Sequence, residues 1–170
     1  MLLIIIGHYL LEISMQIYLI TIGNKMPDWV TAGYQEYSRR MPRECQLQLV
    51  ELPPAQRSKT TNLEKAIEDE GHRMLRAIPN NCDVIALDVK GKNHSTESLS
   101  SSMETWLHSG RDIALLVGGA DGLSKECLEK SSSKWSLSNL TFPHPLVRVI
   151  VAEQLYRAWS FMNNHPYHRA

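Results

Sequence analysis

Hydrophobic and polar positions along this chain switch repeatedly between two periods. IYLITIG (17–23) is an almost unbroken apolar run that ends at a glycine, which predicts a buried strand. Pro27 suits the first turn of a helix, and Val30, Gly33, Tyr34 and Tyr37 then recur at helical spacing as far as Arg40. CQLQLVEL (45–52) alternates in its first half, a strand cue, and Pro53-Pro54 stops it before the polar loop AQRSKTTN. Thr61-Asn62-Leu63-Glu64 has the form of a capping box. The helix it opens is expected to turn Leu63, Ile67, Met74, Leu75 and Ile78 to the core and to close at Pro79.

The second half repeats the alternation. DVIALDV (83–89) is rich in β-branched and aliphatic residues and predicts a strand. Leu99, Met103, Trp106 and Leu107 mark a helix with Gly110 as its C-cap. IALLV (113–117) is a fully apolar strand ending at Gly118-Gly119, followed by a short helix over about 123–130. WSLSNLTF (135–142) reads as a strand, and a last helix runs from about 145 to 162 with Val147, Ile150, Val151, Leu155, Ala158 and Met162 as its core stripe. Trp106 and Trp135 are expected in the core. Strands alternating with helices imply an α/β fold with a mainly parallel sheet flanked by helices. In such folds ligands bind beyond the carboxyl ends of the strands, which directs attention to 88–92, 118–123 and 137–145.

Composition narrows the function. The chain has 170 residues, the length of one domain, with 43% hydrophobic residues. Its 18 Lys+Arg balance 18 Asp+Glu, so no global positive field draws nucleic acid. RNA binding then requires a local patch, or two patches joined in an oligomer. Cys45, Cys82 and Cys127 are far apart, so neither a disulfide framework nor a zinc site is expected, and a reducing cytoplasm suits them. The apolar start has no positive region or cleavage pattern of a signal peptide, and His8, Glu12 and Gln16 interrupt it as a membrane span. A soluble protein is expected.

Three motifs carry chemistry. The glycine pair in LLVGGADGLS permits close backbone approach to a ligand, and equally a tight turn; it is neither a dinucleotide fingerprint nor a P-loop. His144 sits between two prolines at a helix entrance in LTFPHPLVR. HPYHR (165–169) gathers His165, Tyr167, His168 and Arg169; the histidine spacing supports no metal, and the group is either a frayed tail or a set able to stack on a base and hold phosphate. Arg148 and Arg157, nine residues apart on the last helix, are on their own ordinary solvated charges.

Taken together, GNKMPDW, LDVKGK, LLVGGADGLS, WSLSNLTFPHPLVRVIVAEQLYRAW and NHPYHR resemble the ribosomal RNA large subunit methyltransferase H family of SPOUT enzymes, from Met15 to the C-terminus. The resemblance implies a small α/β domain over 15–170 with a C-terminal trefoil knot, a homodimer, and S-adenosyl-L-methionine as cofactor. It implies methylation of N3 of a pseudouridine in helix 69 of 23S rRNA on assembled ribosomes. It maps the cofactor pocket onto Leu87, Gly118 and the run Leu137, Ser138, Asn139, Leu140, Thr141 and Phe142. For the chemistry, an N3 proton must leave, which makes His144, His168 and Arg157 candidates, while Tyr167 and Arg169 would hold base and phosphate. Residues 1–14 precede the family start and read as an extra leader, either an overcalled start or an extension packed on the first strand. Two other readings stand beside this one: a SPOUT methyltransferase acting on a tRNA base or ribose, and a non-catalytic nucleotide-binding dimer.

Overall fold

The computed structural model describes residues 3–6, 9–12, 14–57 and 62–169. Leu3–Ile6 (β1) and Tyr9–Glu12 (β2) pair antiparallel as a two-stranded sheet of their own. The described residues of the leader therefore add no strand to the main sheet. That sheet has five parallel strands: Met15–Ile22 (β3), Cys45–Leu52 (β4), Cys82–Asn93 (β5), Asp112–Val117 (β6) and Ser133–Ser136 (β7), in the order β4-β3-β6-β5-β7.

The helices are Asp28–Ser38 (α1), Leu63–Ala77 (α2), Thr96–Ser109 (α3), Lys125–Lys130 (α4) and His144–Met162 (α5), followed by a short 3₁₀ turn at Pro166–Arg169. On one sheet face Leu19, Leu47, Ile85, Ile113 and Leu115 pack against Tyr34 of α1, Met103 of α3 and Leu155 of α5. On the other, Ile20, Val84, Ala114 and Leu116 meet Met74 of α2 and Cys127 of α4. Both faces of β6 are thus covered, which is why its sequence is apolar without alternation.

Three expectations need correction. The buried stripe of α2 is Ala66, Glu70, Gly71 and Met74, with Leu75 and Ile78 partly buried against the same core, while Leu63, in the first turn of the helix, is half exposed. Asn62 caps this helix by accepting from the Lys65 amide at 3.3 Å; Thr61 lies outside the described residues. The last strand stops at Ser136 rather than at 142. There Ser136 Oγ donates to the Ser138 carbonyl and the Leu140 amide donates to Ser138 Oγ, so local bonds replace the ladder. Arg148 is not a solvated charge. It is 1% exposed, inserted between α5 and the ends of β3 and β4, where it pairs with Glu51 and donates to the carbonyls of Ile22 and Gly23.

Candidate active site

The carboxyl ends of three adjacent strands, β6, β5 and β7, surround a cavity of about 260 Å³. β5 supplies Leu87, Asp88 and Val89. Trp135 faces both Leu87 and Lys92 across the β5–β7 ladder, so residues 88–91 bulge out of it. Gly91 permits the bulge: a Cβ there would lie 2.7 Å from the Lys134 carbonyl carbon. The bulge leaves Val89 68% exposed at the cavity rim.

The loop after β6 forms a second wall with Gly118, Gly119, Ala120 and Gly122. It closes on itself: Gly119 and Gly122 form an isolated bridge, and the Gly122 amide donates to the Gly119 carbonyl at 3.0 Å. A Cβ on Gly118 would stand 2.3 Å from Gly122 backbone atoms. Gly118 is therefore demanded first by the loop's own turn, and the ligand meets a wall already shaped. The third wall is Leu137, Ser138, Leu140, Thr141 and Phe142. Asn139 is exposed and does not line the cavity.

The first turn of α5 adds His144 and Val147. His144 Nδ1 is buried without a partner among the described residues. Burial, and then the nearby Arg148 charge, holds its ring below the usual imidazole range, so it is neutral at pH 7. Among the described residues lining the cavity Asp88 is the one carboxylate, and none is Lys or Arg.

The other predicted residues lie elsewhere in the chain. Arg157 is thirteen residues after His144, about 20 Å along the helix. There its guanidinium pairs with Glu153 at 2.7 Å, and the same Glu153 oxygen accepts from the Tyr167 hydroxyl at 3.0 Å. The Tyr167 ring packs 4.8 Å from Tyr156, with the Arg157 guanidinium 5.0 Å from its centroid. Burial, with bonds to Tyr37 and Glu153, pushes the Tyr167 phenol above its ordinary range, so it remains protonated. The tail is thus docked through Tyr167. His168 is half-buried with its ring 5.3 Å from Phe161, and Arg169 is exposed.

The fold therefore brings together Leu87, Gly118, Leu137, Ser138, Leu140, Thr141, Phe142 and His144, and sets Arg157 and Tyr167 apart around Glu153, with His168 against Phe161 and Arg169 exposed. Sequence reasoning missed Glu153, whose signal was its i,i+4 spacing to Arg157. The post-strand region 88–92 was singled out from the sequence and does reach the cavity, but neither Asp88 nor Val89 was named as a site residue, because the bulge that presents them depends on β7. Among the described residues no group of three or more His, Cys, Asp or Glu could hold a metal ion, and no helix is long and apolar enough to cross a membrane.

Residues 15–168 match the family model described as "Predicted SPOUT methyltransferase". A protein of Methylococcus capsulatus named ribosomal RNA large subunit methyltransferase H is 56% identical over 155 residues, covering 91% of this chain and 100% of its own. A protein of the same name from Thioalkalivibrio sulfidiphilus is also 56% identical over 155 residues, covering 91% and 99%. Among solved structures, a probable methylase family protein from Haemophilus influenzae Rd KW20 aligns with a TM-score of 0.53 at 14% identity, over 92% of this chain and 70% of that one. That likeness is one of fold.

Proposed function

Since the chain belongs to the SPOUT methyltransferase family, we propose that it methylates 23S ribosomal RNA at N3 of a pseudouridine in helix 69, with S-adenosyl-L-methionine as donor, in the cytoplasm. The observation that carries the donor is the charge of the cavity: aliphatic and aromatic walls, Asp88, and no Lys or Arg among the described lining residues. A sulfonium and an ammonium fit such a set, whereas a phosphorylated nucleotide would face a carboxylate with no cation beside it. When bound, the donor supplies an electrophilic methyl group. Leu87, Gly118, Leu137, Ser138, Leu140, Thr141 and Phe142 would hold it, and in-line positioning supplies much of the acceleration.

The chain's own part is to take a proton and to place the base. His144 lines the cavity with a neutral ring, so it is the residue we assign to accept the N3 proton. Tyr167 is held protonated and donates; Arg157 keeps its charge beside Glu153. These suit holding a base and a phosphate rather than removing a proton.

About 20 Å of helix separates the two clusters within one subunit, so a composite site needs a second copy whose tail reaches this cavity. This supports a homodimer, as do two exposed aromatic rings, Trp29 at 56% and Phe161 at 37%, which a partner would cover. The same reading carries the threaded C-terminal knot and a catalytic domain that begins at Met15.

Labelled S-adenosylmethionine, offered with ribosomes, free rRNA and tRNA, tests the assignment. Label is expected in ribosomes and lost in His144→Ala. Label in tRNA alone would move the substrate, and transfer to none with intact S-adenosylhomocysteine binding would leave a binding dimer.

A further inference from the structure

Beside the cavity, outside its lining, stands a buried carboxylate with no role in the reading above. Glu70 is 2% exposed in the middle of α2. Its Oε1 accepts from the Ala55 amide at 2.9 Å and lies 3.5 Å from Arg57 Nη2. Arg57 in turn donates its other terminal nitrogen to Asp121, in the loop after β6. Oε2 is buried without a partner among the described residues, and a Cβ on Gly119 would come within 2.9 Å of it. Asp121 lies between Ala120 and Gly122, both in the cavity wall.

These contacts join segments the sheet keeps apart. β4 and β6, whose carboxyl ends carry the 53–57 segment and the glycine loop, are separated by β3. A buried carboxylate is costly unless charge and hydrogen bonds meet it. Glu70 therefore favours the arrangement in which Ala55 and Arg57 fold over it, and Arg57 is then placed to hold Asp121. Resting on the proposed donor pocket, we propose that Glu70 and Arg57 are positioning residues, a strap that fixes the glycine-loop wall through Asp121 in the shape that binds S-adenosylmethionine.

A strap of this kind acts as one unit, so its parts are not independent. Arg57 and Asp121 side chains are about one-third exposed, 35% and 29%, so their pair is a modest one. Calorimetry on the full chain is expected to show Arg57→Ala and Asp121→Ala each weakening S-adenosylhomocysteine binding roughly three- to fivefold, the upper part of the range of such a pair. The double variant should lose no more affinity than Arg57→Ala alone; the thermal midpoint should stay within about 2 °C in Asp121→Ala and fall further in Arg57→Ala, which leaves the buried Glu70 carboxylate without its cation. Glu70→Gln should match them in affinity. Hydrogen exchange of the 118–123 amides should quicken in all of them, a readout that needs no ligand. Unchanged affinity and exchange, or losses that multiply in the double variant, would overturn the strap. Wild-type protein that binds no S-adenosylhomocysteine would instead overturn the donor pocket, and the exchange data would still decide the strap.

Discussion

Deleting residues 167–170 removes a ring that the structure holds from three sides. The Tyr167 hydroxyl bond to Glu153, at 3.0 Å, is one to an ionised acceptor, about 1.5–3 kcal/mol when buried and toward the lower end here, where the ring is half-buried. The Tyr156 ring at 4.8 Å adds about 0.5–1.5 kcal/mol and the Arg157 cation at 5.0 Å about 0.5–1 kcal/mol. All three share one side chain and do not simply sum, so a loss of about 2–3 kcal/mol is expected, a fall in Tm of roughly 5–10 °C for a chain of this size. Glu153 keeps Arg157 as a partner, so no orphaned charge enlarges the loss. The cavity lies at the other end of α5, and S-adenosylhomocysteine affinity should stay within about twofold. Methyl transfer should fall on the order of 10²-fold, the scale of lost acid–base and positioning help. Tyr167→Phe is the companion: it keeps the ring, should cost about 1.5 kcal/mol, and so measures the hydroxyl alone. Single-turnover methylation of ribosomes, read beside calorimetry and thermal unfolding, decides the matter. A near-normal rate for the deletion would falsify the catalytic role of the tail, and cofactor binding lost in step with the rate would put the tail's effect in the pocket instead.

Three further outcomes are expected. Arg148→Met strips the carbonyls of Ile22 and Gly23 and the carboxylate of Glu51 of their partner and should lower unfolding free energy by about 3 kcal/mol; a loss under about 1 kcal/mol in urea titration would contradict its structural role. His144 has a ring pKa lowered from 6.5, first by burial and then by Arg148, so below 6.5 the unfolded chain binds more protons than the folded one. Its contribution to stability is present above 6.5 and is lost as pH falls through the lowered value; His144→Gln should flatten that slope in urea titrations between pH 5 and 7.5, and an unchanged slope would refute it. Removing residues 1–14 should leave ribosome methylation intact, since β1 and β2 form a separate sheet; a truncated protein that folds but does not methylate would assign the leader to the site.

The strands were legible because burial on both faces writes itself into sequence as unbroken apolar runs, as in IALLV and VIAL. Local chemistry was equally plain at helix ends, where Gly110 closes α3 in the left-handed conformation. The cavity followed from those strands, since the loops after β5, β6 and β7 meet wherever parallel strands share a carboxyl edge. Periodicity failed where a polar residue is buried. Glu70 and Arg148 sit on buried helix faces whose pattern gives no sign of their partners, because Glu51 is 97 residues from Arg148 and the Ala55 amide that meets Glu70 is 15 residues away in a loop. It failed again after Ser136, where a serine's local hydrogen bonds ended a strand that its apolar residues continued. The elements, the parallel sheet and the three loops of the pocket could be read from the residues alone, because these depend on near neighbours and on burial. The gathering of Arg157 and Tyr167 around Glu153, about 20 Å from His144, could not be read that way, because the length of α5 and the docking of the tail on it set that distance.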